Sequence, residues 1–251
     1  MSGYFRHGIL LLGIALLAAG LAQAQTRPPI GGIGSAPDAM IFYVAHGGPD
    51  ACGPGCSEWI AAEGVIQFDT FKRLIAILDR QAGRKLPIVI NSRGASNLNV
   101  AVSLGRILRD RGIDAIVAIT EVEACSGKSE ADCFALKRPG GPLDARENVS
   151  RIVCDLACAL MLAGGVHRTL PPDSHVVVSG MSIHHRIAPN VSEERREGLT
   201  ALYTKQYRMY LREMGVGEDL IDMMEQSAAA AQNIDVPPSE WTRLHLTTAP
   251  L

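Results

Sequence analysis

The sequence predicts an α/β protein with a mainly parallel sheet. Short apolar, β-prone runs occur at residues 40–45, 88–90, 116–119 and 175–179, and amphipathic stretches separate the first three. Gly, Pro and Asn mark most of the junctions. Strand alternating with helix is the pattern of βα units, whose crossovers place successive strands parallel.

Residues 40–45 (MIFYVA) are apolar throughout, as a strand covered on both faces requires, and they run into the His46-Gly47-Gly48-Pro49 loop. His46 is read as a loop residue. Asp69 is expected to cap a helix in which Phe71, Leu74, Ile75 and Leu78 form one stripe. Pro87 introduces the second strand, which enters the small-residue turn Asn91-Ser92-Arg93-Gly94-Ala95-Ser96. Val100, Val102, Leu104, Ile107 and Leu108 continue as a helix that stops near Gly112, and residues 116–119 make a third strand. Residues 121–151 show no period and are read as an inserted loop pinned by cysteines. A short apolar helix is expected over residues 154–163, stopped by Gly164-Gly165, followed by the fourth strand. Ser192 is expected to cap a long helix to about Met214, with Leu199, Leu202, Tyr203 and Tyr210 near one face. Tyr203, Tyr207 and Tyr210 are read as packing groups. A second helix spans residues 218–231, before Trp241 and Leu244.

Composition excludes several functions. The chain has 251 residues, 24 Lys+Arg against 26 Asp+Glu, 47% hydrophobic and 20% charged residues. It carries no basic footprint for nucleic acid and no signature of disorder. Arg6 and His7 precede a 13-residue apolar run at residues 9–21, ending in Ala22-Gln23-Ala24. This pattern predicts a signal peptide over residues 1–24, cut after Ala24, since a membrane span needs about 20 apolar residues. The expected location is the periplasm or the exterior, with residues 25–38 as a linker, 39–190 as the α/β domain and 191–251 as a C-terminal helical segment.

In an oxidising compartment the six cysteines, Cys52, Cys56, Cys125, Cys133, Cys154 and Cys158, are expected to form three disulfides. Cys52 and Cys56 flank Gly53-Pro54-Gly55 and are paired first; the other four allow three pairings. A zinc site is the alternative, but C-x7-C-x20-C-x3-C matches no common zinc module. No metal or other cofactor is expected.

The order IVINSRGAS, helix, strand, small-residue helix ending in AGG, then Arg168-x-x-x-Pro172 and a further strand, resembles the ClpP/crotonase superfamily. With GPGCSEWI at residues 53–60, it is more closely similar to the exported ClpP-like proteins of bacteria. The resemblance covers roughly residues 40–179 and implies a serine-peptidase scaffold. It places Leu156 at the nucleophile position and Ser179 at the position of the histidine base. Leucine has no proton-transfer or nucleophilic chemistry, and a serine hydroxyl hardly ionises at neutral pH. The family's oxyanion turn S-P-G-G-S corresponds to Ser92-Arg93-Gly94-Ala95-Ser96, which would place donors at Gly94 or Ala95 and at Ala157.

The reading is therefore a catalytically inactive domain that binds a peptide or protein, with homo-oligomerisation implied by the resemblance. The alternative is a hydrolase or crotonase-type enzyme with relocated groups, for which Ser182, His184, His185, Cys154 and Asp155 are the candidates.

Overall fold

The computed structural model describes residues 38–181 and 191–248. The expected leader, residues 25–37 of the expected linker, and Ser182, His184 and His185 lie outside the described residues.

The first apolar run forms β1 (Ile41–His46), which pairs antiparallel with β2 (Glu58–Gly64). Sequence pattern alone did not mark β2, because two of its four consecutive buried residues are alanines, which carry little β preference. From β2 the expected units follow: α1 (Thr70–Arg80), β3 (Ile88–Ser92), α2 (Leu98–Arg111) and β4 (Ala115–Val117). β2, β3 and β4 are mutually parallel, and the two-residue β8 (Arg168–Thr169) continues them. Asn97 caps α2 through Val100 N–H, and Gly112 ends it in the left-handed region that its missing Cβ permits. Asp69 sits at the cap position of α1, but its carboxylate accepts from Arg73 (2.7 Å) and makes no cap bond.

Two expectations are corrected. The strand expected over residues 116–119 is broken at Ala118, and the chain continues as β5 (Ile119–Val122), which leaves β4's partners and pairs antiparallel with β6 (Leu143–Asn148). β6 lies parallel to β1, giving the order β5-β6-β1-β2-β3-β4-β8, and the sheet curls so that β5 also touches β3. Residues 121–151 are accordingly no featureless loop. A 3-10 turn (Glu123–Cys125) and α3 (Glu130–Lys137) precede β6, and Ser129 caps α3. These elements bury few residues of their own, so no local period betrays them.

The expected helix at residue 154 begins two residues later. Cys154 and Asp155 belong to β7 (Val153–Asp155), and α4 runs over Leu156–Ala163 with every residue buried. β7 pairs parallel with β9 (His175–Val178), and β10 (Ile234–Val236) completes a second sheet, β10-β9-β7. The C-terminal segment thus supplies a strand as well as α5 (Glu193–Met214), α6 (Asp219–Ala230) and α7 (Pro238–Arg243).

Helix α4 is apolar all round because it is a core element. It approaches α2 so closely that a Cβ on Gly164 would lie 2.0 Å from the Gly105 carbonyl oxygen. Tyr210 on α5 donates its hydroxyl to the Leu160 carbonyl at 2.7 Å. Arg109 donates to the carbonyls of Ala163, Gly164, Gly165 and Met214 at 3.1–3.2 Å, satisfying the free ends of two helices at once. Tyr207 is buried and bonds Asn99, and Tyr203 stacks on it, so these tyrosines pack α5 against the domain.

Candidate functional site

Superposing the reacting positions of the resemblance on the fold leads to the C-terminal end of β3. The turn that follows it is closely tied. Ser96 Oγ accepts from Ile66 N–H at 2.9 Å and lies 3.2 Å from Ser92 Oγ. Arg93 donates to Glu63, which also accepts from the buried Lys137 of α3 at 2.6 Å. Arg93 further faces Glu130 at 3.7 Å, so the 121–151 segment clamps the turn from outside. Gly94 carries the left-handed angle (φ +67°), and Ala95 is not among the positive-φ residues. The left-handed angle of this turn therefore falls on a glycine, and Ala95 takes a backbone angle open to any residue. Gly94 and Ala95 are both exposed.

β7 touches β3 and leads straight into α4, bringing the helix head to this end. Asp155 is the N-cap of α4, its Oδ1 accepting from Cys158 N–H at 2.8 Å. The amide of Ala157, expected as the second oxyanion donor, lies in the same first turn of α4, beside this capping carboxylate. Burial raises the Asp155 pKa, and backbone hydrogen bonding at the helix head opposes that shift. Leu156 is 2% exposed and packs in the core, not along an open cleft. The Cys154–Cys158 disulfide closes over it, and both sulfur-bearing residues are buried, which removes Cys154 as a nucleophile. Ser179 is exposed, one residue past β9; since Asp155 faces Val177 across β7 and β9, it lies two residues beyond that register point. The neighbouring Gly180 abuts α6, where a Cβ would fall 2.4 Å from Ala228 Cα.

The cysteines resolve as Cys52–Cys56, Cys125–Cys133 and Cys154–Cys158, which chooses among the pairings that spacing left open. Among the described residues no group of His, Cys, Asp and Glu could hold a metal ion, and no helix is long and apolar enough to cross a membrane.

Open space is found at the opposite end of the strands. A groove of about 500 Å³ is lined by the loop 52–58, by Lys85, Leu86 and Pro87 before β3, by Asp114 and Ile116 at β4, and by His167 and Thr169 at β8. Asp114 Oδ1 lies 2.9 Å from His167 Nδ1 and accepts from His167 backbone N–H at 3.0 Å. A second groove of about 480 Å³ meets the same loop from the side of His46 and Asp50. His46 closes β1, exposed and 3.6 Å from Asp144. Sequence reasoning missed the Asp114–His167 pair because 53 residues separate them and only the pairing Ala115↔Arg168 makes them neighbours.

Fold and site together define an α/β protein with a mostly parallel central sheet, three disulfides and a closed helix head at the end where the resemblance places catalysis. No protein-family model, curated protein or solved structure matches this chain.

Proposed function

We propose that this chain is an exported ClpP-like domain that is silent as a peptidase and acts by binding a peptide or protein. The observation that carries the reading is Leu156: an aliphatic, 2% exposed side chain at the head of α4, packed in the core. Acyl transfer needs an attacking oxygen or sulfur, and a leucine side chain at this position offers none. Three disulfides support an oxidising compartment. With the helix head closed, an extended segment would lie in the open groove at the other end of the strands.

Fluorophosphonate and thiol-directed probes on the native protein test the silent half. Neither is expected to label it; stoichiometric labelling lost on heating would overturn the reading. Installing Leu156→Ser with Ser179→His tests whether the peptidase frame persists, and gained peptide cleavage would support the resemblance. Hydrogen exchange with an excess of unstructured peptide tests the binding half. Protection is expected around residues 52–58 and 167–169, and its absence there counts against a binding role for the groove.

A further inference from the structure

We propose that the Cys52–Cys56 disulfide is a reactive group that exchanges with dithiol polypeptides bound in the groove it borders. This deepens the binding reading, because it rests on the groove receiving a polypeptide and assigns that polypeptide a chemical class.

The inference begins from a contrast between two bonds of equal ring size. Cys52–Cys56 and Cys154–Cys158 each have a sequence separation of 4, with Cα–Cα distances of 5.0 and 5.1 Å. Chain entropy therefore does not distinguish them, and surroundings must. Cys154 and Cys158 are 0% and 1% exposed, beyond the reach of any attacking thiolate. Cys52 and Cys56 both line the groove of about 500 Å³, and Cys56 is only half-buried. The third bond, Cys125–Cys133, ties the 3-10 turn to α3 and borders neither groove described above.

The loop is built to survive opening of its disulfide. Cys52 N–H donates to the Cys56 carbonyl (3.2 Å), Cys56 N–H to Gly53 (2.9 Å) and Gly47 N–H to Ser57 (2.8 Å), none of which needs the S–S bond. The Glu58 carbonyl oxygen lies 3.6 Å from Cys52 Sγ and 3.5 Å from Cys56 Sγ, placed to accept from a thiol S–H once the bond is broken. The groove is also lined by His167, at β8. His167 Nδ1 faces a carboxylate oxygen that can only accept, so it donates there, and Nε2 is left to take or give a proton.

The step balances without a further reagent. A thiolate of the bound dithiol attacks Cys56 Sγ, the S–S bond breaks, and Cys52 leaves as a thiolate that takes up a proton. The partner's second thiol then loses its proton and attacks the partner sulfur of the mixed disulfide. Cys56 leaves as a thiolate and is protonated in turn. The partner is oxidised by two electrons to a disulfide and this chain is reduced by two; both protons pass from the partner's thiols to Cys52 and Cys56.

The test mixes the oxidised protein with a synthetic peptide carrying two thiols, traps with iodoacetamide at intervals and maps the modified cysteines. Cys52 and Cys56 are expected to become alkylated about tenfold faster than Cys125 and Cys133, with Cys154 and Cys158 protected. One equivalent of peptide disulfide should form per chain. In Cys52→Ser, a mixed disulfide with oxidised glutathione should accumulate on Cys56. His167→Gln should slow the exchange about threefold while leaving the circular dichroism unchanged. Cys125→Ala with Cys133→Ala should leave the exchange intact, which guards against a variant that merely unfolds. Reduction of Cys52–Cys56 no faster than Cys125–Cys133 would overturn the proposal. The S-methylated peptide separates the two readings. If it protects the groove in hydrogen exchange while the dithiol form does not react, binding stands and exchange falls; if neither peptide registers, both fall.

Discussion

Two segments of this chain have the form Cys-x-x-x-Cys, and the fold treats them in opposite ways. At residues 154–158 the segment turns from β7 into α4, the intervening Leu156 and Ala157 are buried, and Asp155 spends its carboxylate on the helix's own Cys158 amide. At residues 52–56 the intervening Gly-Pro-Gly stays at the surface beside a groove holding Lys85, Asp114 and His167. The resemblance points to the first as the chemical centre, whereas among the described residues it is the second that lines an open groove. The contrast teaches that a motif's location in a fold fixes which of its atoms can meet a ligand.

The sharpest way to break the comparison is steric. A side chain at Gly164 must displace α2, since its Cβ would sit 2.0 Å from the Gly105 oxygen, whereas at Gly53 no atom lies within 4 Å. Gly164→Val is therefore expected to cost about 4 kcal/mol or more. Gly53→Ala, strained only by its positive φ, should cost about 1 kcal/mol. Urea unfolding of the two variants checks this, and equal losses would mean that the 154–165 region is not the tightly packed one.

Removing each disulfide is the next test. Loss of either small ring is expected to cost about 2 kcal/mol through chain entropy. Cys154→Ala with Cys158→Ala should cost a further 1–2 kcal/mol, roughly, because the truncated side chains leave space in a filled core. A calorimetric Tm lower for the Cys52/Cys56 variant than for the Cys154/Cys158 variant would reverse the assignment of which bond is structural.

The parts of this contrast that were legible in the sequence are those with local causes. Pro87 ahead of Ile88-Val89-Ile90 and Gly112 announce β3 and α2, and Ser192 announces α5, because caps and breakers act within one turn. β2 was hidden by its alanines, and α3 and β6 by their exposure, since each is held by partners far away in sequence. The position of Leu156 could be read, but its burial could not. Nothing near residue 156 says that β7 and β9 will cover the helix head. The Asp114–His167 pair is a product of strand register alone.

A third test is electrostatic and concerns the covering layer. Glu147 on β6 lies opposite Thr120 of β5, one of its carboxylate oxygens is buried without a partner, and burial pushes its pKa up to about 7. A carboxyl whose folded pKa is raised contributes stability that is full below the unfolded value and is lost as pH rises through the folded one. Stability should therefore fall between pH 4.5 and pH 7 by this group's share. Glu147→Gln should remove that slope and stabilise the protein at pH 8 by about 1–3 kcal/mol, after allowing for its partial exposure to solvent. Urea midpoints of the two proteins at pH 5 and pH 8 decide it, and parallel profiles would place the ionised carboxylate in water.

The smallest effect separates a capping role for Asp155 from a chemical one. Asp155→Ala removes the acceptor for Cys158 N–H and should cost about 1 kcal/mol. Asp155→Asn keeps an acceptor oxygen at the cap while relieving the burial that raises the carboxyl's pKa, so at pH 7 it should be at least as stable as the natural protein. A proton-transferring carboxylate would show the opposite pattern in function, because the amide can accept hydrogen bonds but cannot take up a proton at neutral pH. Indifference to Asp155→Asn, measured as unchanged peptide protection of the groove together with an unchanged urea midpoint, is what the closed helix head requires. Loss of either on that substitution would reopen residues 154–158 as a working site.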